Sequence, residues 1–332
     1  MSDQNTIAIT GTTGHLASAV IPLLIGKGYR VRALVYRQEP SFDSLPVEYV
    51  RGSVFDESSL SNLVKDCSVV IHCAAMISLN SNADPAVYET NVKGTQNVFH
   101  AAKKAGARRF IHLSSIHAFH QMTDGSVLNE ESPFCLKNAP RYDQSKRDAQ
   151  QFVLQSANGG MEVVVLNPTA VIGPFDSKPS FLGKAVMDIY NRKVPLLIRG
   201  GFDFCDVRDV AAGIVSAIDR GRNGQSYLLG GKWHDLSDLQ GMILGIKGDT
   251  RPIPVLPAWT GYAGLPFILL AAGIRRREPL YTKESIMALT LGNKKISSGK
   301  AEAELGYRSR PLQETITDSI AWFKQAGYLN TN

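Results

Sequence analysis

Short apolar runs alternate with helix-length stretches through the first half of the chain, and this alternation limits the fold more than any other feature. The runs are Thr6–Thr10, Arg30–Val35, Val47–Arg51, Ser68–Ala74, Phe110–Ser114 and Met161–Asn167. After the first run, Leu16, Val20, Leu23 and Leu24 recur at the spacing of one helix face. Asp56 is placed to cap a short helix, and Pro85–Ala105 and Tyr142–Gln155 carry longer helical patterns. Strands joined through helices need crossover connections, which predicts a parallel sheet covered on both faces. Pro22 is expected to kink the first helix or start a tighter turn, and Gly26 and Gly28 to end it.

The first strand and helix are joined by Thr10-Gly11-Thr12-Thr13-Gly14-His15-Leu16-Ala17. Gly11 allows a tight turn, Gly14 lets backbone approach a pyrophosphate, and the helix start supplies free N–H groups for the anion. The spacing is Gly-x-x-Gly-x-x-Ala and is weak alone. Its place between a strand and a helix is what makes it a dinucleotide cradle. The second strand ends Val35-Tyr36-Arg37, with no acid before Glu39. An acid there would bond a ribose 2′-hydroxyl, whereas Arg37 suits a 2′-phosphate and Tyr36 can cover adenine, so NADP is expected over NAD, which stays possible. The expected class is therefore α/β, a Rossmann-type doubly wound parallel sheet.

Beyond Pro168 the alternation loosens. Helical patterns lie near Phe181–Arg192, Asp209–Asp219, Leu236–Ile246, Lys300–Leu305 and Leu312–Gln325, with strands about Phe204 and at Ser226–Leu229. Residues 1–175 are read as the dinucleotide-binding domain, with 204–231 returning to it. Residues 176–203 and 232–332 are read as a smaller, interrupted C-terminal substrate lobe with closing helices.

Tyr142-Asp143-Gln144-Ser145-Lys146 sets a phenol and an ammonium one helical turn apart. A phenol titrating near 10 needs about three units, or about 4 kcal/mol, of stabilisation to exchange protons at neutral pH, and a close ammonium in a dry pocket supplies such a term. Leu113-Ser114-Ser115 ends a predicted strand, where ligands of open α/β sheets bind, and a hydroxyl there can hold a carbonyl against the phenol.

With these in order, the chain resembles an extended short-chain dehydrogenase/reductase of the NAD(P)-dependent epimerase/dehydratase superfamily. The matching pieces are Thr10–Ala17, Ile71–Ala75, Asn91–Thr95, Leu113–Ser115, Tyr142–Lys146, Asn167–Thr169 and Phe204–Val210, over about residues 6 to 230. Gly306-Tyr307-Arg308 and Leu312–Trp322 are similar to the group's closing helix. The resemblance implies Ser115, Tyr142 and Lys146 as the catalytic triad, Ser115 being preferred to Ser114, with Asn91 supporting them from mid-helix. It implies cofactor contacts from Gly11, Thr13, Gly14, His15 and Leu16, from the backbone of Ala74 and Ala75, from Lys146 to the ribose, and from Pro168 and Thr169 beside the carboxamide. At the adenine end Ser53 and Val54 follow Gly52 where an Asp is usual, so that contact is weakened or lost.

Ile116 follows Ser115 where sugar dehydratases of the group carry an acid, which argues against dehydration. Ala118-Phe119-His120 replaces the Val-Tyr-Gly of many sugar epimerases, and Asn167–Pro174 with Phe204–Val210 are similar to dihydroflavonol 4-reductase-like proteins. An NADP-dependent reductase acting on a ketone/alcohol pair is therefore expected. A nucleotide-sugar epimerase with tightly held NAD is the alternative, and a non-catalytic redox-sensing protein a further one. His117 and His120 either meet the substrate, tune Tyr142 or pack in a loop. His72 is expected to be a satisfied core residue, and Asp206 and Asp209 to pair with Arg208 or cap a helix.

The net charge of +6 comes without a continuous basic face, which argues against nucleic acid as a partner. Four Cys show no zinc spacing, so no metal is expected and free thiols in a reducing compartment are. The first residues lack a signal-peptide pattern, and a cytoplasmic location is expected. Pro252–Ile274 runs 23 residues without a formal charge before Arg275-Arg276-Arg277. Its prolines and glycines argue against a single helix and a membrane span, and it is read as cover for an apolar or aromatic substrate pocket, with Trp259, Tyr262, Phe267, Ile268 and Leu269 as walls. A homodimer through the Asn91 and Tyr142 helices is possible.

Overall fold

The computed structural model of the chain describes residues 5–37, 45–77, 85–275 and 281–330, with 267–275 described as helix backbone alone. In chain order the elements of the first half are β1 (Thr6–Thr10), α1 (His15–Gly26), β2 (Arg30–Val35), β3 (Val47–Arg51), α2 (Glu57–Val64), β4 (Val69–His72), α3 (Pro85–Lys104), β5 (Arg109–Leu113), α4 (Arg141–Gln155) and β6 (Glu162–Pro168). There follow β7 (Ala170–Ile172), α5 (Phe181–Tyr190), β8 (Leu197–Ile198), β9 (Gly201–Asp206), α6 (Val207–Arg220), β10 (Gln225–Leu229), β11 (Lys232–Asp235) and α7 (Leu236–Lys247). The chain closes with β12 (Val255–Leu256), α8 (Ala258–Arg275), α9 (Lys283–Leu291), α10 (Gly299–Leu305) and α11 (Leu312–Gln325).

Seven parallel strands form the central sheet in the order β10-β6-β5-β4-β1-β2-β3. Successive residues feed opposite faces, so the inner strands are apolar almost throughout, while the edge strand β3 carries Glu48 and Arg51. Ile7, Ile9, Ile71, Ile111 and Val164 pack under α1 and α6, whereas Ala8, Val70, Phe110, Val163 and Val165 pack under α2, α3 and α4. The strand order reverses between β1 and β4, and the crevice beyond their carboxyl ends is where such sheets take ligands. A third core joins β7 and β9 to α5, α7 and α11.

One expectation is met at the helix end and one is corrected. Pro22 lies inside α1, which continues to Gly26. A proline there forfeits a hydrogen bond, yet Ala17, Val20, Ile21 and Leu24 are buried around it, and that packing holds the helix together. Pro252–Ile274 does contain one long helix, α8, with Pro266 inside it. Pro252, Pro254 and Pro257 precede that helix, and Gly261 lies in it where a Cβ would stand 3.1 Å from Ile286 and 3.2 Å from Ile198. Its glycine serves close packing on β8 and α9. Among the described residues no helix is long and apolar enough to cross a membrane.

Candidate active site

The glycine loop is held from both sides. Thr12 is buried and its hydroxyl donates to the Leu34 carbonyl of β2 at 2.7 Å. Gly11 has φ +75°, and a Cβ there would stand 2.6 Å from both the Ala74 nitrogen and the Cys73 carbonyl carbon, so the loop rests on the chain leaving β4. The Thr10 hydroxyl meets His72 Nδ1 at 2.8 Å and accepts from the Ala74 N–H at 3.3 Å. His72 Nε2 meets the Thr95 hydroxyl at 3.0 Å, which makes His72 a satisfied core residue, and burial pulls its pKa down to about 3.

Gly14 caps α1 with no side-chain hydrogen bond, and no acid occupies the first turn. Unclaimed N–H groups beside a glycine cradle fit a pyrophosphate, so the residues present suit a dinucleotide. His15 Nε2 lies 2.8 Å from the Pro174 carbonyl oxygen, which ties the loop to the segment after β7. Thr13 and Leu16 are half-buried on the same turn. Tyr36 and Arg37 are exposed at the end of β2, with Arg37 stacked over the Tyr36 ring at 4.8 Å; Glu39 lies outside the described residues. Ser53 accepts from the Phe55 N–H at 3.1 Å and the Val54 carbonyl accepts from Asn97 at 3.0 Å, which shapes the turn after β3.

Ser115, Tyr142 and Lys146 converge at the ends of β4, β5 and β6. Lys146, 4% exposed, donates to the Leu113 carbonyl at 3.0 Å, and burial lowers its pKa to about 8. Tyr142 is half-buried one turn earlier on α4. Burial raises its phenol above the ordinary value and the Asp143 charge adds to this, while a hydrogen bond with Ser115 works in the opposite direction. Ser115 Oγ accepts the His117 N–H at 3.2 Å, which leaves its own proton for the pocket. The Ser114 hydroxyl is buried without a hydrogen-bond partner among the described residues.

Asn91 is buried in α3 and closes a loop: Oδ1 accepts from the Met76 N–H at 2.8 Å, and Nδ2 donates to the Met76 carbonyl at 3.0 Å and Ser145 Oγ at 2.9 Å. It thereby joins α4 to the chain that carries Ala74 and Ala75. Asn167 donates to the Ser115 carbonyl at 2.9 Å and to Gln150 at 2.7 Å, immediately before Pro168 and Thr169. The sequence did not single out Asn167, Gln150, Ser145 and Asp143 as individual supports, because each meets its partner across a long chain separation or a turn.

Other expected residues fall elsewhere. Asp206 caps α6 and pairs with Arg208 at 2.7 Å, and Asp209 pairs with Arg310 at 2.7 Å. Trp259 is 69% and Tyr262 40% exposed on α8. The side chains of Phe267, Ile268 and Leu269, and Arg276 and Arg277, lie outside the described residues. Among the described residues no group of His, Cys, Asp and Glu is arranged to hold a metal.

Comparison with known proteins gives a consistent picture. Residues 7–230 match the NAD dependent epimerase/dehydratase family. The chain is 30% identical over 98% of its length to "Sterol demethylase protein B" of Methylococcus capsulatus, covering 100% of that protein. It is 27% identical to "4-hydroxy-2-methyl-3-oxo-4-farnesyl-3,4-dihydroquinoline-1-oxide ketoreductase" of Stigmatella aurantiaca, covering 96% of each. The crystal structure of gox2253 superposes with a TM-score of 0.85 at 32% identity, over 99% of this chain and 100% of that one.

Proposed function

The chain belongs to the NAD dependent epimerase/dehydratase family, and from that membership we propose that it is an NADP-dependent oxidoreductase interconverting a ketone and a secondary alcohol. The observation that carries this reading is the buried Lys146 one helical turn from Tyr142, with Ser115 beside them at the carboxyl edge of the sheet. Gly11, Thr13, Gly14, His15 and Leu16 would hold the pyrophosphate, Tyr36 and Arg37 the adenosine phosphate end, and Ala74, Ala75, Pro168 and Thr169 the nicotinamide half. A nicotinamide bound there would supply or take up the hydride.

Ser115 donates a hydrogen bond to the substrate oxygen, keeping its proton, and orients the carbonyl. In reduction Tyr142 delivers its phenolic proton to that oxygen as the hydride arrives at carbon; in oxidation the phenolate takes the proton back. The raised pKa of Tyr142 keeps the proton in place for reduction. Lys146 is positioned by the Leu113 carbonyl to bind ribose hydroxyls and, when charged, to stabilise the phenolate. The substrate is taken to be apolar or aromatic, and the names of the sterol and farnesyl-quinoline relatives support that class.

The test is mass spectrometry of nucleotide released from purified protein, followed by oxidation assays on cyclohexanol, 1-phenylethanol and UDP-glucose. The reading expects exchangeable NADP and net reduction of added NADP+ as the simple alcohols are oxidised to ketones. Tightly held NAD with turnover of UDP-glucose alone would replace it with an epimerase.

A further inference from the structure

Next to Tyr142 stands a pair of groups that the proton transfer itself does not use. His117 Nδ1 lies 3.1 Å from Asp143 Oδ1, and the His117 ring meets the Tyr142 ring edge-on with centroids 5.7 Å apart. The same residue's backbone N–H is the donor to Ser115 Oγ. One residue thus touches both partners of the substrate oxygen, through its amide on one side and its ring on the other.

We propose that His117 and Asp143 act as an ion pair that positions Tyr142 and cancels a charge that would otherwise oppose formation of its phenolate. The proposal rests on Tyr142 being the acid/base. Asp143 is the next residue along α4, and its carboxylate alone pushes the phenol pKa upward, against the direction that alcohol oxidation needs. An imidazolium on that carboxylate removes the effect.

The surrounding groups leave this pair in control. On α4 Lys146 is a neighbour, its pKa lowered by burial to about 8, and ahead of α4 burial holds Cys135 neutral at about 11, with the Asp143 charge adding to this. From β4, burial holds His72 neutral at about 3 and Cys73 neutral at about 12, and from β5 burial keeps His112 well below its ordinary value. Burial also pulls His117 down and Lys146 repels its proton, yet the charge and hydrogen bond of Asp143 outweigh both and leave its pKa raised. As pH rises through that value His117 becomes neutral, Asp143 is uncompensated, and the phenolate becomes harder to form.

The experiment is a 13C NMR titration of protein labelled at tyrosine Cζ, with saturating NADP+ or NAD+, from about pH 6 to about pH 10.5. The Tyr142 resonance is the one missing in Tyr142→Phe. With oxidised nucleotide bound the wild-type Tyr142 midpoint is expected at or below that of His117, while the imidazolium is present. His117→Gln should then raise it by about one pH unit and Asp143→Asn lower it by a similar amount, as expected for one charge a few ångströms away. A wild-type midpoint well above that of His117 would overturn the proposal. The double variant should return to within about half a unit of wild type. His117→Phe keeps a ring against Tyr142 without the charge and should behave as His117→Gln. Single variants shifting the same way, no shift, a wild-type midpoint in His117→Phe, or no Tyr142 titration up to the highest pH would each overturn the proposal. Near-wild-type oxidation of the alcohols by Tyr142→Phe would instead remove the acid/base reading, leaving the measured shifts as a separate result.

Discussion

Tyr142 and Lys146 reach chemical use through burial, and burial has a cost that can be measured. Tyr142→Phe removes the proposed proton donor while leaving the nucleotide cradle intact. Turnover should fall about 10²–10⁴-fold with nucleotide affinity retained, and steady-state assays beside calorimetric binding check both. Lys146 has a pKa of about 8 in the fold, below that of an exposed lysine. The unfolded chain therefore binds more protons between those values, so this residue opposes folding most at neutral pH and less as pH rises through that window. Lys146→Met should raise stability at pH 7 by about 2 kcal/mol while nucleotide affinity and rate both fall. Thermal unfolding that is unchanged or weakened would show that the burial cost is offset locally. Arg37→Ala should weaken NADP binding roughly ten- to a hundredfold and leave NAD nearly unaffected, because a charge-assisted phosphate contact is worth about 1.5–3 kcal/mol. Equal losses for the two nucleotides would sink the role given to Arg37.

At the scale of elements, the loop between β1 and α1 separates two demands made on glycine. Gly11 needs its positive φ and its missing Cβ, since the chain after β4 stands 2.6 Å from where that atom would be. Gly14 has ordinary φ, and its Cβ would meet only the Gly11 carbonyl oxygen, at 3.2 Å. Gly11→Ala is expected to cost about 3 kcal/mol and to abolish nucleotide binding, because the loop must leave β4. Gly14→Ala should stay within about 1 kcal/mol of wild type in urea unfolding and still bind nucleotide poorly. Equal stability losses for the two would contradict this division. The loop can be strict here because Thr10, Thr12 and His72 bind it to β2 and to β4 with the chain that leaves it.

For the molecule as a whole, a chain of charges fastens the C-terminal helix to the sheet domain. Asp206 holds Arg208 at 2.7 Å, Arg208 reaches Asp318 of α11 at 2.6 Å, and Arg310 joins Asp209 to Glu314. Burial pushes Asp206 up, but the hydrogen bonds from Arg208 outweigh it and hold the carboxyl below its ordinary value. A carboxyl lowered in the fold contributes stability above its unfolded pKa of about 4 and loses it as pH falls below. Asp206→Ala should cost about 3 kcal/mol at pH 7, by leaving Arg208 and the α6 terminus unpaired, and should flatten the loss of stability on acidification. Urea unfolding at neutral and acidic pH would read both, and a variant with an unaltered acid slope would assign that slope to other groups.

The strands and helices of the first half were legible because the inner strands are buried on both faces and the helices on one, so apolar content and spacing mark them, while the edge strand β3 stays half-buried or exposed. The glycine loop, Ser115, Tyr142 and Lys146 were legible for a similar reason, since local order along the chain already places them at strand ends and on one helix face. Only the tertiary structure brought Asn91 to Met76 and Ser145, Asn167 to Ser115, and His117 to Asp143, because each pair is assembled by strand order and helix packing. It also decided the local rules that yielded. Pro22 and Pro266 lie inside helices whose packing, for α1 on the sheet and for α8 on β8 and α9, outweighs what proline removes. Propensity acts over a few residues, whereas burial sums over a whole face, and where the two disagree the larger sum determines the backbone.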